Sequence, residues 1–226
     1  MRIRRKKRLD ERIQMVSSVV AVAERDVINV YKALEDKRYF NIEQLFGNNN
    51  EIEMDVGCGK GSFICELAKN NPNKNYFAVE MIENIIIVGA ERAKEEGIKN
   101  LKFVNTGAEY LPRYIKDGLI SKIYLNFSPP YPKTSYANRR LTNDRFIKVY
   151  KQLLCDGGMI EQKTDDKGFF EYSLEQLKKH GFEVVDLSQD YIEGKIIDNV
   201  LTEFETKFNS LKVPVYMLRA KGKLSN

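Results

Sequence analysis

EIEMDVGCGKGSFICELAKN, residues 51 to 70, decides the fold. Its first six residues, from Glu51 to Val56, read as a strand, and three glycines within the next five residues break that strand into a tight loop. The following SFICELAKN sets Phe63, Ile64, Leu67 and Ala68 on one side of a helix. Strand, glycine loop and helix in immediate succession form the opening unit of a parallel α/β sheet.

The pattern repeats outward from this unit. NYFAVE (75–80) reads as a second strand, IENIIIVGAERAKEEG (82–97) as a helix, and LKFVN (101–105) as a third strand. AEYLPRYIKDG is a short helical stretch, KIYLNF (122–127) a fourth strand, and DRFIKVYKQLLCDGG (144–158) a helix. MIEQKT, FFEYSLEQLKKHG and FEVVDLSQ continue as strand, helix and strand. Upstream, FGNNN (46–50) closes a moderately apolar segment, Met15 to Leu34, whose spacing is compatible with helix. Alternation of this kind predicts a doubly wound, mostly parallel sheet with helices on both faces. Ligands of such sheets bind beyond the carboxyl ends of the strands, so residues just after strands are the ones to inspect.

Composition narrows the class. Of 226 residues, 42% are hydrophobic and 31% charged, as in an ordinary soluble protein. No run approaches the ~20 apolar residues of a membrane span, and the basic N-terminus lacks the apolar core of a secretory signal, so a cytoplasmic protein is expected. Cys58, Cys65 and Cys155 show no CxxC spacing, so neither a disulfide framework nor a metal site is expected. The only histidine, His180, lies in LKKHG at a helix end, where a cap or dipole contact suits it better than catalysis. The formal charge of +5 resides in residues 1–12, where Arg2, Arg4, Arg5, Lys6, Lys7, Arg8 and Arg12 face only Asp10 and Glu11. Such an arm is either a solvated tail or a contact for a polyanion.

The first strand ends in Asp55, followed by Gly57, Gly59 and Gly61, and the second ends in Glu80. Glycines admit a ligand close to the backbone, and an acid after the second strand suits the hydroxyls of a ribose. A dinucleotide site would want GxGxxG and would not want a carboxylate near its pyrophosphate. GxGxG with Asp55 two residues before it instead favours a ligand with an ammonium group, S-adenosylmethionine. Asn105 to Glu109, after the third strand and including Gly107, would lie near the adenine, and an ordinary turn is the alternative.

The fourth strand leads into NFSPPYPKTSYANRRLT (126–142). Pro129, Pro130 and Pro132 stiffen this loop, Tyr131 offers a ring for base stacking, and Lys133, Arg139 and Arg140 add positive charge, a combination suited to nucleic acid. The loop resembles the NFSDPWPKKRHxKRRLT segment of bacterial tRNA (guanine-N7)-methyltransferases. KTDDKGFFEYSL resembles that family's KTDN-x-GLFEYSL, TEFETKF resembles its TEYEEKF, and the opening FGNNN…NYFAVE resembles its FGN…NYIGIE in the same order.

The resemblance implies a seven-stranded, Rossmann-like class I methyltransferase domain over residues 47–226, preceded by a basic arm and helical segment over 1–46. It implies S-adenosylmethionine held by Asp55, Gly57, Gly59, Gly61 and Glu80, with Gly107 at a further cofactor position. Substrate tRNA would be held by Lys133, Asp165, Thr202, Glu203, Phe204 and Glu205, with methyl transfer to N7 of a guanine, the variable-loop guanine by analogy. No membrane or metal is implied, and a monomer or a homodimer is compatible.

Two positions depart from the family. Its aspartate in the proline loop is Pro129 here, so no catalytic residue carries over, and its acid after the third strand is Gly107. SPPY also resembles the (D/N/S)PP(Y/F/W) motif of methyltransferases acting on exocyclic amines. A noncatalytic RNA-binding protein with the same fold is the other alternative.

Overall fold

Buried, β-branched and aromatic runs bounded by glycine and asparagine give the strands of this chain. The computed structural model describes residues 6–21, 23, 29–188, 200, 202, 205, 210–211 and 213–222, and separates into two units, Met1–Ile115 and Lys116–Asn226.

The first unit contains α1 (Leu9–Met15), β1 (Val20–Ala21), α2 (Val30–Glu35), α3 (Ile42–Phe46), β2 (Ile52–Val56), α4 (Ser62–Asn70), β3 (Asn75–Val79), α5 (Glu83–Glu95), β4 (Leu101–Val104) and α6 (Leu111–Tyr114). Its strands lie in the order β1-β4-β3-β2 and are all parallel. Every residue of β2 and β3 is buried, as expected of strands covered on both faces. Register explains how the cover is divided. Ala78 pairs with Phe103, so Phe77, one residue earlier, points to the opposite face. Phe103 packs under Gly61 and Gly89, at the starts of α4 and the middle of α5. Phe77 meets the rings of Phe40 and Phe46 at 5.9 and 5.4 Å. Each fully buried ring or Leu contributes roughly 1.5–3 kcal/mol by removal from water.

The segment from Met15 to Leu34 is not a single helix. Helix α1 ends at Met15, and Val20–Ala21 forms an edge strand on β4, where the Phe103 N–H donates to the Val19 carbonyl at 2.8 Å. An unpaired sheet edge rewards extended backbone, which suits Val19 and Val20 better than helix. The described part of the arm is also docked. Arg12 grips Glu91 of α5 with two hydrogen bonds, of 2.5 and 2.6 Å, and Leu9, Val16 and Val19 are buried. Arg2, Arg4 and Arg5 lie outside the described residues.

The second unit contains β5 (Ile120–Asn126), a 3-10 segment Thr134–Arg139, α7 (Asp144–Leu153), β6 (Leu154–Thr164), α8 (Lys167–Lys179), β7 (Glu183–Ser188) and β8 (Tyr216–Lys221). The order is β5-β6-β8-β7, with β5 and β6 parallel and β8 antiparallel to both of its neighbours. The helix expected as far as Gly158 stops at Leu153. Leu154 pairs with Ile120, and Gly157 at φ 71° allows the irregularity before regular pairing resumes at Met159. The described residues contain eight strands rather than seven. The extra one is the two-residue β1, whose brevity hides it from any periodicity. Among the described residues no helix is long and apolar enough to cross a membrane.

Candidate functional site

In the first unit, the turn after β2 is built by Gly57, Gly59 and Gly61, at φ 81°, 57° and 75°. These left-handed values strain any residue with a Cβ. The N–H groups of Gly57 and Cys58 both donate to the Val79 carbonyl, at 2.8 and 3.0 Å, which ties the loop to the end of β3. Gly89, unremarked in the sequence, completes the cradle. A Cβ there would stand 2.7 Å from the Lys60 carbonyl oxygen, so its absence lets α5 close on the loop. A lone glycine inside an otherwise helical run was the available signal.

Asp55 lies beneath this loop, 2% exposed, and its Oδ1 has no hydrogen-bond partner among the described residues. Burial, reinforced by the negative charge of Glu80, pushes its carboxyl up to about 8. A cation placed beside it would favour the charged form. Glu80 is half-buried and accepts from the Ile82 N–H at 2.8 Å; the backbone N–H groups of Gly59 and Met81 also favour its charge. Burial outweighs them and holds its carboxyl above the usual range. Asn105 donates to the Glu80 carbonyl at 2.6 Å, joining the ends of β3 and β4. Gly107 follows at ordinary φ −77°, before the 3-10 turn Ala108–Tyr110. The glycine cradle, the uncompensated Asp55 and the fixed carboxylate of Glu80 could together hold an adenosyl group bearing a cationic amino-acid tail. Cys58 is no nucleophile: burial, with Asp55 and Glu80 nearby, pushes its thiol well above the ordinary value.

In the second unit, the proline loop begins where β5 ends. Phe127 (φ 47°) and Tyr131 (φ 42°) are two of the three non-glycine residues with positive φ among the described residues. Strain of about 1–3 kcal/mol at each persists only where surrounding contacts enforce it. Two such contacts are present. The Phe127 N–H donates to the Lys163 carbonyl at 2.8 Å, and Arg140 donates to the carbonyls of Pro130 (2.9 Å) and Tyr131 (3.0 Å) while lying 4.3 Å from the Tyr172 ring centroid. Within the loop, Ser128 is buried, and its Oγ and both polar side-chain atoms of Asn126 have no partner among the described residues. Pro129 and Lys133 are exposed.

The adjacent arginines therefore divide their work, which their shared charge conceals in the sequence. Arg140 is a staple of the loop, whereas Arg139 is exposed over the Tyr136 ring at 4.6 Å. On the expectation that this loop meets a nucleic-acid backbone, Arg139→Ala should weaken that binding several-fold and reduce its salt slope by about one. Arg140→Ala should leave the salt slope unchanged and lower the turnover rate by tenfold or more, since misplacing reacting groups is costly. Filter binding across salt concentrations, together with turnover measurements, separates the two.

Asp165 is exposed and is not the cap of α8; Asp166 takes that role, accepting from the Phe169 N–H at 2.7 Å. Asp165 is thereby left available. Thr202 and Glu205 form a reciprocal pair, with the Thr202 N–H donating to Glu205 Oε2 at 2.8 Å and the Glu205 N–H to Thr202 Oγ1 at 2.9 Å. Glu205 Oε1 also takes 2.8 Å from Lys163 Nζ, and both side chains are at most 1% exposed. Glu205 is thus an internal anchor rather than an open acceptor. Lys163 was not among the expected site residues; a lysine inside the strand-like MIEQKT was its only signal. Glu203 and Phe204 lie outside the described residues. His180 caps α8 and meets Asp144 at 2.9 Å, in keeping with a local structural role.

Comparison with known proteins bears on the fold and the family. A family model described as "Putative methyltransferase" matches residues 49–218. A tRNA (guanine-N(7)-)-methyltransferase of Bacillus subtilis is 38% identical over 76% of this chain and 81% of its own. That of Listeria welshimeri is 40% identical over 79% and 84%. Among solved structures, a 16S rRNA methyltransferase, KamB, superposes with TM-score 0.62 at 14% identity, covering 83% of this chain and 95% of its own. A precorrin-6y C5,15-methyltransferase from Geobacter metallireducens gives 0.55 at 16% identity, covering 90% and 94%. These likenesses establish the α/β methyltransferase fold, and the sequence relatives establish something narrower: the chain belongs to the tRNA (guanine-N(7)-)-methyltransferase family.

Proposed function

We propose that this protein transfers a methyl group from S-adenosylmethionine to N7 of a guanine in tRNA, in the cytoplasm. The observation that carries the cofactor reading is the buried Asp55 carboxyl, without a partner among the described residues, beneath a glycine cradle. When bound, S-adenosylmethionine supplies an electrophilic sulfonium methyl. Asp55 would neutralise the ammonium end, and Glu80 would accept from the ribose hydroxyls.

Guanine N7 carries a lone pair and no proton, so it needs no general base. What the protein must supply is placement and charge. Tyr131, held by Arg140, offers its ring to the base. Lys133 and Asp165, with Glu203 and Phe204, would grip the nucleotide, while Thr202 and Glu205, expected from the sequence to touch it, would serve by anchoring that segment; Arg139 and the arm within residues 1–46 would attract phosphates to the domain of residues 47–226.

The test is incubation with labelled S-adenosylmethionine and unmodified tRNA, followed by mass spectrometry of the nucleosides. N7-methylguanosine at the variable loop is expected. N6-methyladenosine, N4-methylcytidine, or cofactor binding with no product would each overturn the reading. Pro129 invites a companion variant. It is exposed, so Pro129→Asp can be accommodated, and a carboxylate there would stabilise the purine cation that develops on methylation. A roughly tenfold faster turnover is expected, with cofactor affinity unchanged. A slower enzyme would show that the proline's stiffness outweighs the charge.

A further inference from the structure

Position 107 lacks a side chain, yet the space above it contains a carboxylate. A Cβ built on Gly107 would lie 2.6 Å from Oε2 of Glu109 and 3.0 Å from its Cδ. The Glu109 side chain therefore folds back over the 3-10 turn into the volume that a residue at 107 would fill. It is half-buried, and it has no hydrogen-bond or ion-pair partner among the described residues. Its own turn does not employ it: the Tyr110 N–H takes the Gly107 carbonyl, and the turn has no side-chain cap. The place is the carboxyl end of β4, beside β3, with Val79 and Val104 in register and Asn105 hydrogen-bonded to the Glu80 carbonyl. An acid here stands one strand over from the proposed ribose acid.

We propose that Glu109 supplies the acceptor for the exocyclic amine of the cofactor's adenine, from a position two residues beyond the acid that this chain lacks. The inference rests on the reading of the first unit as an S-adenosylmethionine site. Gly107 is then required for what it omits: any Cβ would push the carboxylate out of this space. The chemistry is that of a charge-assisted hydrogen bond from an amine to a carboxylate, which a keto group in place of the amine cannot make.

The experiment uses calorimetry with S-adenosylhomocysteine and its deaminated analogue, S-inosylhomocysteine. Wild-type protein is expected to prefer the amino compound by about tenfold or more. Glu109→Ala should lose that preference by weakening the amino compound alone, and Gly107→Ala should do the same by displacing an intact Glu109. Gly107→Asp combined with Glu109→Ala should restore it, since the backbone at 107 accepts a side chain. Unchanged discrimination in Glu109→Ala overturns the proposal. Failure of wild-type protein to bind either compound overturns the cofactor reading itself, and this inference with it.

Discussion

Asp55→Asn is expected to abolish binding of S-adenosylmethionine and, in the same variant, to stabilise the ligand-free protein at pH 8. The two effects share one cause. In the folded chain burial and Glu80 hold the Asp55 carboxyl at about 8, against 3.8 ordinarily. A carboxyl raised on folding keeps its proton in the native state after the unfolded chain has released it. Between about pH 4 and pH 8 the native state therefore binds more protons, and stability falls as pH rises. The decline is at most about 1.4 kcal/mol per pH unit for one group, and it is complete once pH passes the folded value. Asparagine has no such titration, so the melting temperature of the variant should draw ahead of wild type as pH increases from 5 to 8.5. A bound ammonium reverses the balance in wild type by favouring the charged form, and the variant cannot exploit it. Parallel melting profiles for the two proteins would sink this account of Asp55.

Lys163→Met is expected to be the most destabilising single change considered. It leaves Glu205, fully buried, without the 2.8 Å ion pair to Lys163 Nζ, while its other oxygen still holds the Thr202 N–H. Breaking one half of a buried pair typically costs about 3–5 kcal/mol. For a chain of 226 residues this corresponds to a melting temperature lower by roughly 10 °C. The double variant Lys163→Met with Glu205→Gln removes both charges and should recover most of the loss. In thermal denaturation, an equal deficit in single and double variants would show that Lys163 matters for packing rather than for Glu205. In either variant tRNA methylation should suffer, since Glu205, which holds Thr202, is tied to β6 through this pair.

Much of the glycine cradle and its flanking acids was legible in the sequence. Gly57, Gly59 and Gly61 had to be glycines because the loop bends at left-handed φ, and that local demand is written directly into residue type. Asp55 and Glu80 followed from their places at strand ends. Legibility failed where one residue type serves several ends. Arg139 and Arg140 look equivalent as charges, yet only Arg140 has the carbonyls of Pro130 and Tyr131 within reach. Asp165 and Asp166 look equivalent as caps, yet backbone direction gives the cap to Asp166.

By itself, then, the amino-acid sequence determined the α/β alternation, the glycine cradle, the stiff proline loop and the family to which the chain belongs, because each is encoded in local periodicity, backbone allowance or an ordered set of motifs. Only the tertiary structure decided that Val20–Ala21 is a strand, that the helix before β6 stops at Leu153, that Glu205 is spent on Lys163, and that Glu109 occupies the space above Gly107. Each of those depends on which group arrives from a distant part of the chain or a neighbouring turn. Free sheet edges, buried charges and empty volumes are satisfied by neighbours in space, and no local pattern records who those neighbours will be.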